Sequence, residues 1–281
     1  MIPTDSRIDR RTVLRTFGGA ALASVAGCLD GSRNSGTTTS DQTSAATERA
    51  GPLSRIAVEG QAIVVEVDAD APVEQVNLIQ PNGELFGKRG LAAGARQVSF
   101  EIGTAYEPGE YHVVALDGDE TVAEGSLEIS PQIEIQDVGL FRNVPDKPWD
   151  EVYGESPTDA KKNGEAFVTV KNRGSGPNAI VELYFAGDVP NPIENPRGNG
   201  IYEESSVVVP AGETVDIFSS SFPFGSAIGE DGMGCSTDGN RGQFTVVVDT
   251  RVAARQVTKE YNVAYTDAEE MQNCEITISE A

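Results

Sequence analysis

The stretch PGEYHVVALDGDE, residues 108–120, decides the fold class of this chain. A Pro-Gly pair precedes a run rich in aromatic and β-branched residues, and Asp117-Gly118-Asp119 ends that run. A second apolar run, Val122–Ile129, follows directly. Two strand-forming runs separated by a short Asp/Gly turn predict an antiparallel β-hairpin.

The same alternation of apolar runs and turns continues in both directions from this hairpin. Runs recur at roughly 8–12-residue intervals between turns of Gly, Pro and Asp, which is typical of antiparallel β-sandwiches. A long polar loop, residues 143–164, interrupts the pattern. We predict an all-β chain with two antiparallel β-sandwich domains, residues 53–131 and a larger one at residues 132–281. The other predicted strands are Ile56–Val58, Ile63–Val67, Val76–Ile79, Gln97–Ile102, Ile133–Val138, Glu165–Gly174, Ala179–Phe185, Ser206–Val209, Val215–Phe218, Gln243–Asp249, Gln256–Tyr265 and Glu275–Ile278.

The first domain carries a motif of known β-sandwich modules. The run Pro108–Ala115 resembles the penultimate strand of immunoglobulin-like and fibronectin-like modules, in which a Pro-Gly turn precedes a tyrosine at the end of the sandwich. That tyrosine is Tyr111 in this chain. The resemblance implies an immunoglobulin-like sandwich for residues 53–131.

The second domain carries three short motifs of another sandwich family. These are VTVKNRG at residues 168–174, PAGETV at residues 210–215 and VVVD at residues 246–249. Together they resemble the CARDB-like adhesion-related modules over residues 133–281. Insertions at Asp146–Lys162 and Asp188–Tyr202 depart from the compact module, and the resemblance implies a surface interaction module without a reaction.

The N-terminal residues form a recognisable export leader. Arg10 and Arg11 precede an apolar run, Phe17–Gly27, which is shorter than the about 20 residues that a membrane-spanning helix needs. With Cys28 after small residues, the segment resembles a twin-arginine signal closed by a lipoprotein cleavage box. The resemblance implies a signal at residues 1–27, lipidation of Cys28, and a disordered Ser/Thr/Gly-rich tether at residues 28–52. The alternative is a buried N-terminal helix with an incidental arginine pair.

The charge balance restricts the location and the partners. The chain has 44 acidic and 21 basic residues, a net charge of −23, and only six of the basic residues are lysines. This composition resembles that of proteins from salt-loving archaea, whose carboxylates hold water while salt screens their repulsion. A disordered acidic polymer is disfavoured by the 38% hydrophobic content. No basic stripe is present to bind phosphates, so we expect no nucleic-acid partner.

Two cysteines remain once Cys28 is assigned to lipidation. Cys235 and Cys274 form an even pair 39 positions apart, and an exported protein lies outside the reducing cytoplasm. We predict a disulfide between them. The alternatives are a redox pair or metal ligands, for which a CxxC spacing and a neighbouring histidine are missing.

The sequence offers few groups for catalysis. It has one histidine, His112, and no nucleophile elbow, phosphate-binding loop or zinc-binding helix. We therefore expect no catalytic residue, bound metal or cofactor. Acidic turns such as Asp68-Ala69-Asp70, Asp117–Glu120 and Glu230-Asp231 are interpreted as solvated turns, with Ca²⁺ binding as the alternative.

Two aromatic loops are candidates for recognition. One contains Trp149 and Tyr153, and the other contains Phe222 and Phe224. Aromatic side chains in loops are common anchors of interfaces. The alternative is that these rings cap the ends of the sandwiches.

Together these features predict a lipid-anchored protein on the outer face of the cell membrane. We expect a non-catalytic binding or adhesion module of an archaeal envelope, whose partner is another envelope protein or a glycan. The first alternative is an accessory subunit of an export or uptake system. The second is a glycan-active enzyme, since glycosidases can work with two carboxylates alone.

Overall fold

The computed structural model describes residues 51–144, 146–192, 198–225, 232–269 and 274–281. Over these ranges the chain forms fifteen β-strands and two short α-helices, and both sandwiches lie within one compact unit. The all-β prediction with two antiparallel sandwiches is confirmed. The predicted leader and most of the tether, with Arg10, Arg11 and Cys28, lie outside the described residues. In the described part, no helix is long and apolar enough to cross a bilayer.

The first sandwich contains seven strands in two antiparallel sheets. One sheet has the order β1-β2-β5 and the other β4-β3-β6-β7. Alternate residues of both sheets point inward and form one hydrophobic core. The strands are β1 (Leu53–Glu59), β2 (Ala62–Val67), β3 (Gln75–Ile79), β4 (Leu85–Gly90), β5 (Gln97–Glu101), β6 (Gly109–Asp117) and β7 (Glu120–Ile129).

Tyr111 fixes one end of this sandwich. Its ring is fully buried, and its hydroxyl donates a hydrogen bond of 3.0 Å to the carbonyl of Glu107, four residues upstream. Such a corner tyrosine near the start of the sixth strand is a hallmark of immunoglobulin-like sandwiches. The Pro-Gly-Glu-Tyr motif therefore has the structural role that its resemblance implied.

The second sandwich repeats the strand order of the first. Its sheets have the orders β12-β9-β8 and β11-β10-β13-β14-β15, so the fifth, second and first strands again form one sheet. The additional strand β15 extends the second sheet beyond β14. The strands are β8 (Ile133–Leu140), β9 (Ala166–Asn172), β10 (Asn178–Gly187), β11 (Val207–Val209), β12 (Thr214–Phe218), β13 (Asn240–Thr250), β14 (Gln256–Tyr265) and β15 (Ile276–Glu280).

The predicted polar loop at residues 143–164 is wrong as a description of this segment. It contains the helices α1 (Trp149–Tyr153) and α2 (Asp159–Gly164), preceded by a 3₁₀ turn at Phe141–Asn143. The Thr158 side chain caps α2 by accepting a hydrogen bond from the Lys161 amide. We call residues 141–165 the insert.

One strand, β4, was not predicted. Its sequence LFGKRG contains two glycines and two cations and has no apolar alternation. It forms as the outer strand of its sheet by pairing with β3. Backbone pairing with β3 thus outweighs the weak intrinsic preference of this sequence for strand structure.

Short turns cluster at one end of the second sandwich and long connections at the other. The turns at residues 173–177, 210–213 and 251–255 share the end that faces the first sandwich, which we call the joint end. The insert, residues 219–225 and 232–239 before β13, and residues 266–269 and 274–275 before β15 start or finish at the opposite end, which we call the loop end. Asn143 of the insert donates a hydrogen bond to the Ile276 carbonyl at the start of β15, which links these connections.

The joint end holds the two sandwiches together through direct contacts. The Tyr106 hydroxyl donates to the Pro177 carbonyl at 2.9 Å, and the Ser130 amide donates to the Ser175 hydroxyl at 3.0 Å. Gly176 is required there, because a Cβ at this position would lie 2.2 Å from the Tyr106 hydroxyl oxygen. Val252, from the turn between β13 and β14, is buried in the core of the first sandwich.

The position of Val252 leads to a stability prediction. Val252→Ala removes methyl groups from the core of the first sandwich, although the residue belongs to a turn of the second. We expect a loss of about 2 kcal/mol in the free energy of unfolding and faster hydrogen exchange of the β6 amides. Val257→Ala, which thins the second core instead, is the matched control. Unchanged β6 exchange in Val252→Ala would contradict a shared core.

Candidate functional site

A disulfide ties down the loop end of the second sandwich. Cys235 and Cys274 are bonded with their Cα atoms 5.6 Å apart, and both side chains are buried, which confirms the predicted pair. The bond links the connection before β13 to the segment before β15. For a separation of 39 residues, the chain-entropy estimate of the stabilisation is about 4 kcal/mol. The Ala268 amide also donates to the Ser236 carbonyl, so the described residues of these two connections contact each other at a second point.

The insert packs on the face of the β12-β9-β8 sheet that is turned away from the main core. Along β9, Val168 and Val170 point into that core, whereas Phe167 points to the opposite face. Phe218 of β12 lies beside Phe167 with 6.2 Å between ring centroids. Gly139 makes room for this arrangement, since a Cβ there would lie 2.2 Å from the Phe167 ring.

Trp149 is the centre of the aromatic cluster that holds the insert on this face. It stacks on Phe141 at 4.1 Å and contacts Phe218 edge-on at 5.4 Å. Its indole N–H donates to the Val144 carbonyl at 2.6 Å. A buried aromatic cluster of this kind combines a large apolar area with favourable ring geometry, so it anchors α1, which begins at Trp149 and ends at Tyr153, on the sheet.

The structure corrects the interpretation of Trp149 and Phe224 as exposed binding residues. Trp149 is only 5% exposed, and Phe224 is fully buried between Phe185 and Phe244 of the main core. Both rings are packing groups because each covers apolar sheet surface. Tyr153 is half-buried, and Phe222 is 37% exposed. Of the four predicted residues, Phe222 therefore presents the most ring surface to solvent.

The insert forms a cleft of about 830 Å³ beside the aromatic cluster. Its lining combines the edges of two buried rings, two prolines, three cations, three carboxylates and an amide. This volume is within the range of small-ligand sites. The lining residues are Phe141, Arg142, Lys147, Pro148, Trp149, Asp150, Glu151, Glu155, Pro157, Lys162 and Asn163.

One wall of the cleft is fixed by Lys147. Its ammonium group forms an ion pair with Asp216 of β12 and lies 4.3 Å from the centroid of the Phe167 ring. Asp216 in turn accepts a hydrogen bond from the Thr169 hydroxyl. A cation held by both a carboxylate and an aromatic face has little rotational freedom, so the insert is fastened to the sheet at this point.

The base of the insert contains a buried carboxyl group that the sequence did not reveal. Glu165 is 1% exposed, and its Oε2 atom has no hydrogen-bond partner. Burial raises its pKa to about 7, while the Tyr153 hydroxyl and the Lys161 ammonium oppose the shift. Lys161 lies near the rings of Tyr153 and Tyr202, at 4.9 and 5.0 Å. The carboxyl therefore joins α1, α2 and β9 in one polar cluster.

The remaining candidates for chemistry do not form a constellation in the described part of the chain. No group of three or more His, Cys, Asp or Glu side chains that could hold a metal is found there. His112 is exposed, with Nε2 3.9 Å from a carboxylate oxygen of Glu110. Asp68 lines a separate depression of about 480 Å³ with Glu66 and Arg96. The predicted turn at Glu230-Asp231 lies outside the described residues.

Comparison with known proteins gives only remote likenesses. No protein-family model and no curated protein matches the chain. Among solved structures it is similar to a glycosyl hydrolase family 2 member from Bacteroides cellulosilyticus, with 18% identity and a TM-score of 0.21, over 71% of this chain and 24% of that chain. It is also similar to the human OSCAR ligand-binding domain, with 11% identity and a TM-score of 0.23. This match covers 82% of this chain and 99% of that chain. A third similar structure is a segment of two fibronectin type-III domains from chicken tenascin, with 9% identity and a TM-score of 0.25. This match covers 84% of this chain and 98% of that chain.

The chain spans about a quarter of the length of the hydrolase chain. No conclusion about activity, ligand or partner follows from TM-scores this low.

The raised pKa of Glu165 predicts how stability depends on pH. The Glu165 carboxyl has the ordinary pKa of 4.5 in the unfolded chain and a pKa of about 7 in the folded state. Between these two pH values the folded state binds a proton that the unfolded chain has released. The free energy of unfolding contributed by this group therefore falls as pH rises through that window and stays low above it. Glu165→Gln removes this dependence. We expect the variant to be more stable than the parent by about 3 kcal/mol at pH 8 and to match it near pH 4.5.

Urea unfolding at constant high salt measures this difference. Glu155→Gln removes an exposed carboxylate from the same insert and controls for the change in net charge. Parallel stability–pH curves for the parent and Glu165→Gln would show that the carboxyl at the base of the insert is not buried in the folded state.

Proposed function

We propose that this chain is a lipid-anchored cell-surface protein that acts as a non-catalytic binding or adhesion module, with the loop end of its second sandwich as the recognition end. The observation that carries the proposal is the concentration of long connections, the insert and its cleft at that end. Loops at one end of a β-sandwich are the usual place for recognition, because the sheets hold them while their sequences vary freely.

The path of the chain supports this assignment. Gly51 lies against Val122 and Ala123, at the end of the first sandwich opposite the joint. The chain therefore enters the first sandwich at the end far from the joint, and the insert belongs to the far end of the second sandwich.

The rigidity of the recognition end also favours binding. The disulfide joins Cys235 to Cys274, and the aromatic cluster and the Lys147–Asp216 ion pair hold the insert on the sheet. A surface ordered before it meets a partner avoids much of the entropic cost of association. Catalysis by two carboxylates needs a pair of acids in a cleft, one of them with a raised pKa. Among the described residues, the one strongly raised carboxyl pKa is that of Glu165, which burial raises while Tyr153 and Lys161 lower it, and Glu165 does not line the cleft.

The anchoring part of the proposal is tested at Cys28. Cys28→Ser removes the thiol that accepts lipid, so we expect the protein to leave the membrane fraction or to remain unprocessed. Fractionation of cells at high salt, with mass spectrometry of the N-terminus, measures both outcomes. Membrane retention equal to that of the parent would contradict lipid anchoring.

The recognition part is tested by photo-crosslinking in intact cells. A photoreactive phenylalanine analogue replaces Glu155, an exposed residue of the insert, or Glu120, an exposed residue at the opposite extreme of the protein. We expect a specific crosslinked partner from position 155 and none from position 120. Equal capture at both positions, or capture at position 120 alone, would contradict the assignment of the recognition end.

A further inference from the structure

We propose that β4, an outer strand of the first sandwich, docks an extended, carboxylate-rich segment of a partner protein as an additional strand of its sheet. This surface is separate from the loop end of the second sandwich, so the inference does not depend on the recognition end proposed above. It is carried by the positive charge of β4, its open backbone and its exposed leucine.

The charge of β4 differs from that of every other outer strand of the described sheets. It carries Lys88 and Arg89 and no carboxylate, and no acidic residue occurs from Leu85 to Phe100. Each of the other outer strands has at least as many carboxylates as cations. These strands are β1, β5, β7, β8, β11, β12 and β15. In a chain with a net charge of −23, two adjacent cations at one edge attract acids that the remaining surface repels.

Protection of the edge does not explain these cations. Outer strands commonly carry charges that prevent pairing with other copies. In this chain carboxylates would give that protection, because copies with a net charge of −23 repel one another through their negative surfaces. Strand β7, at the other edge of the same sheet, carries Glu120, Glu124 and Glu128 and follows that rule. The cations of β4 do the opposite, since they attract acidic polypeptides.

The backbone of β4 is open to a further strand. The Leu91 amide donates to the Glu74 carbonyl, so in the antiparallel pairing with β3 the backbone groups of Lys88 and Gly90 point away from β3. Lys88, Arg89 and Gly90 are all exposed. The Arg89 guanidinium donates to the Lys88 carbonyl at 3.2 Å, where the amide of an added strand would bind. Outward N–H and C=O groups along a strand match an extended polypeptide, which supplies the complementary groups at the same spacing.

The side chains at this edge select the character of the added segment. Lys88 and Arg89 form no ion pair within the described part of the chain. A strand that takes over the Lys88 carbonyl frees the Arg89 guanidinium to bind a carboxylate. Leu85, at the start of β4, is 56% exposed and offers an apolar contact at one end of the segment. The segment that fits β4 is therefore extended, acidic and apolar at one end.

Isothermal titration and amide hydrogen exchange of the full chain test the inference. At about 1 M salt the Debye length is about 3 Å, so the net charge of the chain is screened while charges in contact still attract. The probe is a synthetic peptide in which glutamate alternates with threonine, with a leucine at each end. We expect it to bind and to slow the exchange of the Lys88 and Gly90 amides.

Variants at one position test the charge of the edge. Lys88→Glu should weaken peptide binding about tenfold or more, because it replaces an attraction by a repulsion, and Lys88→Gln should weaken it less. Lys162→Glu makes the same charge change at an exposed residue of the insert and is the matched control, which should leave the binding unchanged.

Four results would overturn the inference. Equal binding of a peptide with lysine in place of glutamate would show that charge does not select the partner. Equal binding of the acidic peptide with methylated backbone nitrogens would show that it does not add as a strand. No binding up to millimolar peptide would show that β4 is not a docking surface. If the parent self-associates in analytical ultracentrifugation and Lys88→Glu is a monomer, the occupant is a second copy. None of these results bears on the crosslinking test of the recognition end.

Discussion

The packing of Trp149 on Phe141, Phe167 and Phe218 is the interaction on which the surface of this protein depends. A sheet in a sandwich normally buries one face and leaves the other to water. Here the second face of the β12-β9-β8 sheet carries phenylalanines, and their exposure would be costly. The insert covers them, and the same packing forms the cleft and buries Glu165. One apolar patch on the outside of a sheet thus produces a second, smaller core.

The scarce lysines of the chain are concentrated around this second core. Three of the six, Lys147, Lys161 and Lys162, lie in the insert. Lys147 reaches across to Asp216, and Lys161 lies between two tyrosine rings near the buried carboxyl. In a chain with so many carboxylates, cations placed at these points relieve repulsion where the insert, with its acidic helix α1, lies on the sheet. The insert therefore depends on both its aromatic and its charged contacts.

Much of the fold was predictable because it follows from local patterns. Strand β14 was predicted at its observed limits, and Cys235 and Cys274 pair as expected. Strand β4 was missed because its sequence lacks apolar alternation and it forms by pairing with the preceding strand β3. The helices of the insert were missed because their aromatic residues pack on strands β9 and β12, which follow later in the chain. The candidate site was predicted only in part. The loop containing Trp149 was predicted as a candidate for recognition, but the burial of that ring depends on Phe218, which lies far away in the sequence.

By itself, the amino-acid sequence determined the strand-and-turn alternation, the corner tyrosine at residue 111 and the excess of negative charge, because these depend on the order and type of neighbouring residues. Only the tertiary structure decided which aromatic rings are buried, which end of the second sandwich carries the long connections, and that burial raises the pKa of Glu165 to about 7. Those properties depend on which segments meet in space. Burial, charge pairing and cleft shape arise where β8, β9, β12 and the insert come together, and no single segment encodes them.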